Sequence, residues 1–164
     1  MTSTLISTPA YRILPTPVGP LLLSGDDRAL TGLRFTGPAA APAPGWRRDD
    51  QRFADEARQL AEYFAGERTG FDIPLEPRGA AFDRRVWDAL REIPHGTTTT
   101  YGELAASIGA PGQARAVGAA NARNPIAIVV PCHRVIGANG KLVGYGGGLD
   151  RKQALLALEG AILV

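Results

Sequence analysis

The chain has 164 residues, of which 45% are hydrophobic and 21% are charged, with a formal net charge of +2. A chain of this length buries roughly 70% of its unfolded surface, and its low net charge excludes a highly charged disordered polypeptide. No apolar run approaches the roughly 20 residues that span a bilayer, and no basic segment precedes an apolar one at the N-terminus. We therefore expect a cytoplasmic globular protein that makes no contact with a membrane.

Three short apolar runs predict β-strands in the first third of the chain, and proline and glycine turn signals separate them. The runs cover residues 11–17, 20–24 and 30–35. Residues 36–45 are rich in proline, glycine and alanine, which predicts an exposed loop. Apolar residues at helical spacing then predict a helix over 49–65. The prolines in 71–77 limit that segment to an edge strand.

A change in sequence character at residues 76–79 predicts a boundary between two domains, 1–78 and 79–164. Apolar stripes at helical spacing predict three helices in the second domain. These helices cover residues 82–93, 101–108 and 114–122. A short Gly-Ala-Pro connection makes the last two a candidate helix-turn-helix.

The rest of the second domain is predicted to contain β-structure and one more helix. Residues 126–130, IAIVV, are typical of a buried strand, and residues 135–143 resemble a hairpin around a GANG turn. The last helix is expected to begin near Asp150, with Gln153 placed as in a capping box.

Charge is unevenly distributed along the chain. Residues 101–152 carry six basic and two acidic side chains, so the remainder of the molecule is net negative. A basic surface beside a helix-turn-helix favours nucleic acid as a partner, because phosphates attract it. An ordinary solvated face with asymmetric charge is the alternative.

The chain has one cysteine, Cys132, which excludes an intrachain disulfide framework and a cysteine-clustered zinc site. A lone cysteine is usually a small buried hydrophobic residue. Here Pro131 fixes the backbone just before the thiol, and His133 and Arg134 follow at once. Nearby positive charge favours the thiolate, so Cys132 is a candidate nucleophile.

The adjacency of Cys132 and His133 constrains the mechanism. Successive side chains diverge along an extended chain, so removal of the thiol proton through an intervening water is easier than direct contact. The histidine would then need an orienting carboxylate, for which Glu159 is a candidate. The alternatives are a structural histidine and a solvated glutamate.

The segments TTTTYGELAASIGAPGQARAVGAANARNPIAIVV and PCHRVIGANGKLVGYGGGLDRKQALLALEG resemble the active-site half of the O6-alkylguanine-DNA alkyltransferases, or methylated-DNA–protein-cysteine methyltransferases. The resemblance is good over residues 82–160 and loose over the first 79. It implies an α+β fold. A small N-terminal ribonuclease-H-like domain of sheet and helix would precede a C-terminal catalytic domain of winged helix-turn-helix type.

The resemblance also implies roles for the catalytic residues. Cys132 would accept the alkyl group, His133 would act as a base through water, and Glu159 would orient the histidine. Asn124 looks like the family's hinge asparagine, which braces the thiol-bearing turn. Tyr101 matches the tyrosine that donates a proton to the departing guanine.

The base pocket and the DNA-binding face follow from the same resemblance. Tyr145 and Gly146 would close the pocket, and the backbone carbonyls of Cys132 and Val135 would accept from the exocyclic amine. Gly146 stands where some relatives have serine, which predicts a roomier pocket. The residues expected to contact DNA lie on or just after the recognition helix: Ala114, Arg115, Gly118 and Arg123. Arg115 would enter the base stack, and the small residues of this helix favour docking in the minor groove.

The function implied is direct reversal of DNA damage. The alkyl group of O6-alkylguanine in double-stranded DNA would pass to Cys132 after base flipping, with activity on O4-alkylthymine left open. No second thiol is available to resolve the thioether, so the reaction would inactivate the protein. We expect a monomer without metal or cofactor.

Three other functions are alternatives to this one. A damage-recognition module of the alkyltransferase-like class would lack the cysteine that this chain has. A transcriptional regulator would need a further domain for which 164 residues leave no room. A cysteine hydrolase would need a histidine partner that the sequence does not offer.

Overall fold

The computed structural model describes residues 8–37 and 41–162, so residues 38–40 of the predicted loop lie outside the described part. The first half contains a four-stranded sheet in the order β3-β2-β1-β4. Its strands are β1 (Ala10–Leu14), β2 (Leu21–Gly25), β3 (Leu30–Phe35) and β4 (Arg47–Arg48). β2 is antiparallel to both β1 and β3, whereas the short β4, which the sequence did not predict, is parallel to β1.

The central strand β2 is buried along its whole length, which explains its uninterrupted leucines. Next to it, β3 is bonded to the second half of the chain. The Leu33 amide donates to the Pro125 carbonyl at 2.9 Å, and the Ala127 amide donates to the Leu33 carbonyl at 2.9 Å. The sheet therefore supports the segment that precedes Cys132.

Helix α1 (Ala54–Phe64) follows the sheet, and its almost fully buried Leu60 and Tyr63 belong to the hydrophobic cluster that also contains leucines of the sheet. The helix begins later than residue 49 because the Asp49 side chain accepts hydrogen bonds from the backbone amides of Gln51 and Arg52 and so closes a turn. Residues 71–77 pair with the sheet only at a single bridge, Leu30 to Leu75. The expectation of an edge strand at most is confirmed.

The second half is mainly helical, with α2 (Ala81–Leu90), α3 (Tyr101–Ser107), α4 (Ala114–Ala122) and α5 (Leu149–Leu158). α3 and α4 form the predicted helix-turn-helix. A capping box starts α3: the Thr100 hydroxyl accepts from the Glu103 amide, and the Glu103 carboxylate accepts from the Thr100 amide. The Trp87 indole of α2 donates to the Ala120 carbonyl at 2.9 Å and ties α2 to α4. The α+β prediction of a sheet domain followed by a helical domain is confirmed.

Three local predictions are wrong. Residues 126–130 form a buried turn rather than a strand, because Ile128 has a left-handed backbone with φ 71°. Residues 135–143 are not a hairpin: β6 (Val135–Ile136) pairs in parallel with β5 (Thr99–Thr100) instead. The last helix begins at Leu149, next to the predicted Asp150, but the predicted capping box is absent, since the N-cap residue is Gly148 and no side chain caps the helix.

Within the described ranges, no helix is both long and apolar enough to cross a membrane. The cytoplasmic location and the domain limits 1–78 and 79–164 stay predictions.

Buried side chains from the sheet, from α1 and from the helices of the second half form one hydrophobic cluster. The two halves therefore share a core, and the candidate active site lies along their junction.

Candidate active site

Cys132 lies at the wall of a cleft of about 990 Å³ between the two halves of the molecule. It begins a short 3₁₀ turn (Cys132–Arg134), and only 7% of its surface is exposed. Both halves contribute to the wall, which brings together most of the predicted base-pocket residues. The lining includes Phe35, Trp87, Tyr101, Gly118, Asn121, Asn124, Cys132, Tyr145, Gly146 and Gly147.

Asn124 shapes the turn that leads to the thiol. Its Oδ1 accepts from the Ile126 amide at 3.0 Å, and its Nδ2 donates to the Val130 carbonyl at 2.8 Å. These two bonds connect the start and the end of the turn over residues 124–130. The turn replaces the strand that was predicted for residues 126–130. One amide side chain thus sets the path of the backbone into Pro131 and Cys132.

Burial raises the pKa of the Cys132 thiol, while a hydrogen bond from Asn124 and the charge of Lys152 act in the opposite direction. The sequence predicted that His133 and Arg134 would supply the positive charge beside the sulfur. In the structure both side chains are bonded to Glu159 instead. The resting group is a buried thiol, and Lys152 is the cation that favours its ionisation.

A buried cluster around Glu159 lies behind the thiol turn. Its carboxylate is 2.7 Å from His133 Nε2 and accepts from the Tyr63 hydroxyl at 2.6 Å. Arg134 donates from Nε to Oε1 at 2.8 Å and from Nη2 to Oε2 at 3.0 Å. These four side chains are nearly inaccessible to solvent. The structure therefore brings His133 and Glu159 together, as predicted from the sequence.

Protonation in this cluster follows from its contacts. Hydrogen bonds from His133, Arg134 and Tyr63 overcome the effect of burial and hold the pKa of Glu159 well below its usual range. Burial lowers the pKa of His133, so the imidazole is neutral near pH 7. An ionised carboxylate only accepts, so Nε2 carries the imidazole hydrogen and Nδ1 has the free lone pair. Nδ1 is buried and has no hydrogen-bond partner among the described residues.

Two tyrosines face the cleft with different surroundings. Tyr101 is the first residue of α3, and its hydroxyl is 3.4 Å from the Val143 carbonyl. Tyr145 has a buried hydroxyl for which the described residues offer no hydrogen-bond partner. Burial raises the pKa of both phenols, so both remain protonated at neutral pH. Each is therefore available to donate a hydrogen bond to a molecule in the cleft.

The glycine-rich segment 144–148 is held from inside and from the sheet. The fully buried Lys152 donates from Nζ to the Val143 carbonyl at 2.7 Å, and burial lowers the pKa of this amine to about 8. Phe35 of β3 packs against Gly147, where an added Cβ would lie 2.5 Å from its ring. Arg151 stacks on the Phe35 ring and donates to the Val18 carbonyl at 2.9 Å. The sheet thus positions one wall of the cleft.

The four residues predicted to contact DNA lie on α4 or at its end. Ala114 starts the helix, Arg115 is exposed on it, and Gly118 and Arg123, the C-cap residue, line the cleft. Arg123 makes two bonds of 2.8 Å to the Asp83 carboxylate, so its charge is largely compensated. Val135 is fully buried at the start of β6 and does not line the cleft.

Sequence reasoning missed four residues that shape the site: Phe35, Tyr63, Asn121 and Lys152. Tyr63 and Phe35 are far from Cys132 in the chain and look like ordinary core residues of a helix and a strand. Lys152 was counted only as surface charge. For Asn121 a signal existed, since it is a polar residue on the buried face of an otherwise small-residue helix.

The described residues contain no group of three or more His, Cys, Asp or Glu side chains arranged to hold a metal ion. The cleft wall combines aromatic, amide and glycine residues with four arginines and Asp83. Such a wall suits a flat aromatic molecule with several hydrogen-bonding edges.

Comparison with protein families covers nearly the whole chain. Residues 10–77 match the family model described as "6-O-methylguanine DNA methyltransferase, ribonuclease-like domain". Residues 81–161 match the one described as "6-O-methylguanine DNA methyltransferase, DNA binding domain". These two matches confirm the fold that the sequence resemblance implied for each half.

Individual proteins agree with the family models. The methylated-DNA–protein-cysteine methyltransferase of Mycolicibacterium paratuberculosis is 61% identical over 150 residues, covering 91% of each chain. That of Methanosarcina acetivorans is 54% identical and covers 92% of this chain and 98% of its own. The crystal structure of Mycobacterium tuberculosis OGT in complex with DNA aligns with a TM-score of 0.88 at 55% identity, covering 93% of both chains.

Replacement of Glu159 by glutamine tests the buried cluster. The substitution leaves Arg134 charged and unpaired in the interior, so we expect the free energy of unfolding at pH 7 to fall by about 3 kcal/mol. The folded-state pKa of Glu159 is lowered, so its contribution is present above its ordinary pKa of 4.5 and is lost as pH falls. The difference between the two proteins should therefore shrink below about pH 4.5, as measured by urea unfolding at several pH values.

The exposed Glu67 provides the matched control. Glu67→Gln should change stability by no more than about 0.5 kcal/mol at any of these pH values. A Glu159→Gln protein as stable as the wild type at pH 7 would contradict the role given to this carboxylate.

Replacement of Gly147 by alanine tests the contact between the glycine-rich segment and the sheet. The new Cβ would lie 2.5 Å from the Phe35 ring and 2.9 Å from the Tyr145 ring, so we expect a loss of about 1–3 kcal/mol. Gly146→Ala is the control, because nothing lies within 4 Å of its added Cβ. The double variant Phe35→Ala/Gly147→Ala should lose less stability than the sum of the single variants. Strict additivity in thermal unfolding would contradict the contact.

Proposed function

The chain belongs to the methylated-DNA–protein-cysteine methyltransferase family, and on that premise we propose that it repairs O6-alkylguanine in double-stranded DNA by direct transfer of the alkyl group to Cys132. The observation that carries this proposal is the position of Cys132. A single buried thiol lies at the wall of a cleft of about 990 Å³, and the buried His133–Glu159 pair lies behind it.

The thiol must lose its proton before it can attack. His133 is neutral, its Nε2 faces Glu159, and its Nδ1 has a free lone pair buried near the thiol turn. We assign to Nδ1 the acceptance of the Cys132 proton through a water, and to Glu159 the stabilisation of the imidazolium that results. The charge of Lys152 favours the thiolate at the same moment.

Alkyl transfer is a displacement at carbon. The bond between the Cys132 sulfur and the alkyl carbon forms as the bond between that carbon and the guanine oxygen breaks, and the electron pair goes to the purine. The Tyr101 hydroxyl, which lines the same cleft, supplies a proton to the purine ring and so prevents release of a guanine anion. The proton taken up by His133 returns to the Tyr101 phenolate through solvent, which restores both groups.

Access to the base requires DNA binding and base flipping, since the alkylated oxygen cannot be reached inside a duplex. The exposed Arg115 on α4 is our candidate for the side chain that fills the space left by the flipped nucleotide. α4 consists largely of small residues, which suits close approach to the minor groove. The DNA complex of the M. tuberculosis relative supports DNA as the partner.

Several finer features belong to the same proposal. The chain contains no second cysteine, so the thioether on Cys132 persists and each molecule reacts once. Gly146 has no atom within 4 Å of its missing Cβ, which supports a pocket that accepts adducts larger than methyl. We propose a monomer, with O4-alkylthymine as a second substrate to be tested.

Intact mass spectrometry after incubation with duplex DNA containing one O6-methylguanine tests this function. We expect each protein molecule to gain one methyl group, mapped to Cys132, and no further gain with excess substrate. The Cys132→Ser protein should gain nothing, and undamaged duplex of the same sequence should leave the wild type unmodified.

An unmodified wild-type protein that still binds the lesion tightly would overturn the transferase proposal and indicate a damage-recognition module. Repeated turnover, with more methyl groups removed than protein molecules present, would overturn the single-use mechanism.

A further inference from the structure

Asn121 is a buried polar residue that the proposed function has not used. It lies on α4 with 5% of its surface exposed and lines the same cleft as Cys132. Its Nδ2 lies 3.4 Å from the Cys132 carbonyl, and its Oδ1 is buried without a hydrogen-bond partner among the described residues. An unpaired buried polar atom costs about 1–3 kcal/mol, which an apolar residue would avoid. Folding alone therefore does not explain this amide.

The position of Tyr101 relative to α4 indicates a use for it. The Tyr101 ring packs on α4 at Gly118, where an added Cβ would lie 3.6 Å from the ring. Asn121 is three residues further along the helix and so lies on the same face. Burial raises the pKa of Tyr101, and the nearby Asn121 amide acts in the opposite direction. The amide thus lies on the face of α4 that packs against the Tyr101 ring, and its nitrogen is near the Cys132 carbonyl.

We propose that Asn121 is a positioning residue for proton delivery, its amide joining the Cys132 carbonyl to the Tyr101 hydroxyl and stabilising the Tyr101 phenolate. The inference rests on the proposed function and deepens it.

In the proton-transfer step the O–H bond of Tyr101 breaks, an N–H bond forms on the departing purine, and the negative charge stays on the phenolic oxygen. An amide nitrogen carries two hydrogens. One of them can bond to the Cys132 carbonyl and the other to the phenolate, so a single side chain couples the acid to the nucleophile. No other reactant is needed.

The test combines Asn121→Leu with Tyr101→Phe and measures single-turnover transfer from duplex O6-methylguanine. Leucine keeps the branched shape and the number of side-chain heavy atoms but cannot donate. With Tyr101 present, Asn121→Leu should slow transfer about tenfold, since a hydrogen bond to a charged group is lost. With phenylalanine at 101 the same substitution should change the rate less than twofold, because no phenolate forms.

Alkylation of Cys132 by iodoacetamide gives a second readout. That reaction needs no proton donor, so Asn121→Leu should change its rate much less than it changes the rate of transfer. Structural damage to the thiol turn would slow it in both backgrounds. Asn121→Ala serves in the same scheme if the leucine variant does not fold.

Equal slowing by Asn121→Leu in both backgrounds would overturn the inference, as would parallel loss of iodoacetamide reactivity. A Tyr101→Phe protein as fast as the wild type would overturn it too, because the acid itself would then be unnecessary. Absence of transfer by the wild-type protein would instead overturn the proposed function, so the two failures are distinguishable.

Discussion

The buried carboxylate of Glu159 is the interaction on which the site depends. It lies at the end of the last helix and binds the histidine next to Cys132, the arginine after that, and a tyrosine from the helix of the first domain. A carboxylate this deep in the protein is tolerated only because three donors satisfy it. The same contacts therefore hold the thiol turn in place, keep His133 in one tautomer and join the two halves of the chain.

The junction between the halves also explains why the cleft has its shape. β3 bonds to the turn that precedes Cys132, and Phe35 at the end of β3 packs against the glycine-rich segment that also lines the cleft. A domain whose family model is described as ribonuclease-like thus contributes to the reaction site by support rather than by chemistry. In the resting state burial keeps Cys132 a thiol, which reacts with electrophiles more slowly than a thiolate does.

Periodicity predicted the helices well and the short β-elements poorly. Helices α1, α3 and α4 lie within the predicted ranges, and α2 begins one residue before its range, because their apolar stripes reflect packing against one core. IAIVV looked like a strand, but the Asn124 side chain bridges it as a turn with Ile128 in a left-handed conformation. Apolar composition indicates burial and does not distinguish a strand from a buried turn. Likewise β6 pairs with β5, which lies about 35 residues earlier in the chain. Local sequence does not predict such a long-range pairing.

The sequence by itself determined the family and pointed to Cys132 and His133 as candidate catalytic residues, because both depend on residue types at fixed spacing around one cysteine. Glu159 was predicted as the histidine's partner and is found there, although its role in the reaction stays a proposal. Only the tertiary structure decided which cation acts on the thiol: Arg134 turns to Glu159, and Lys152 takes that place. The reason is physical. Burial, pKa and hydrogen-bond partners depend on residues far apart in the chain, and only folding brings them together.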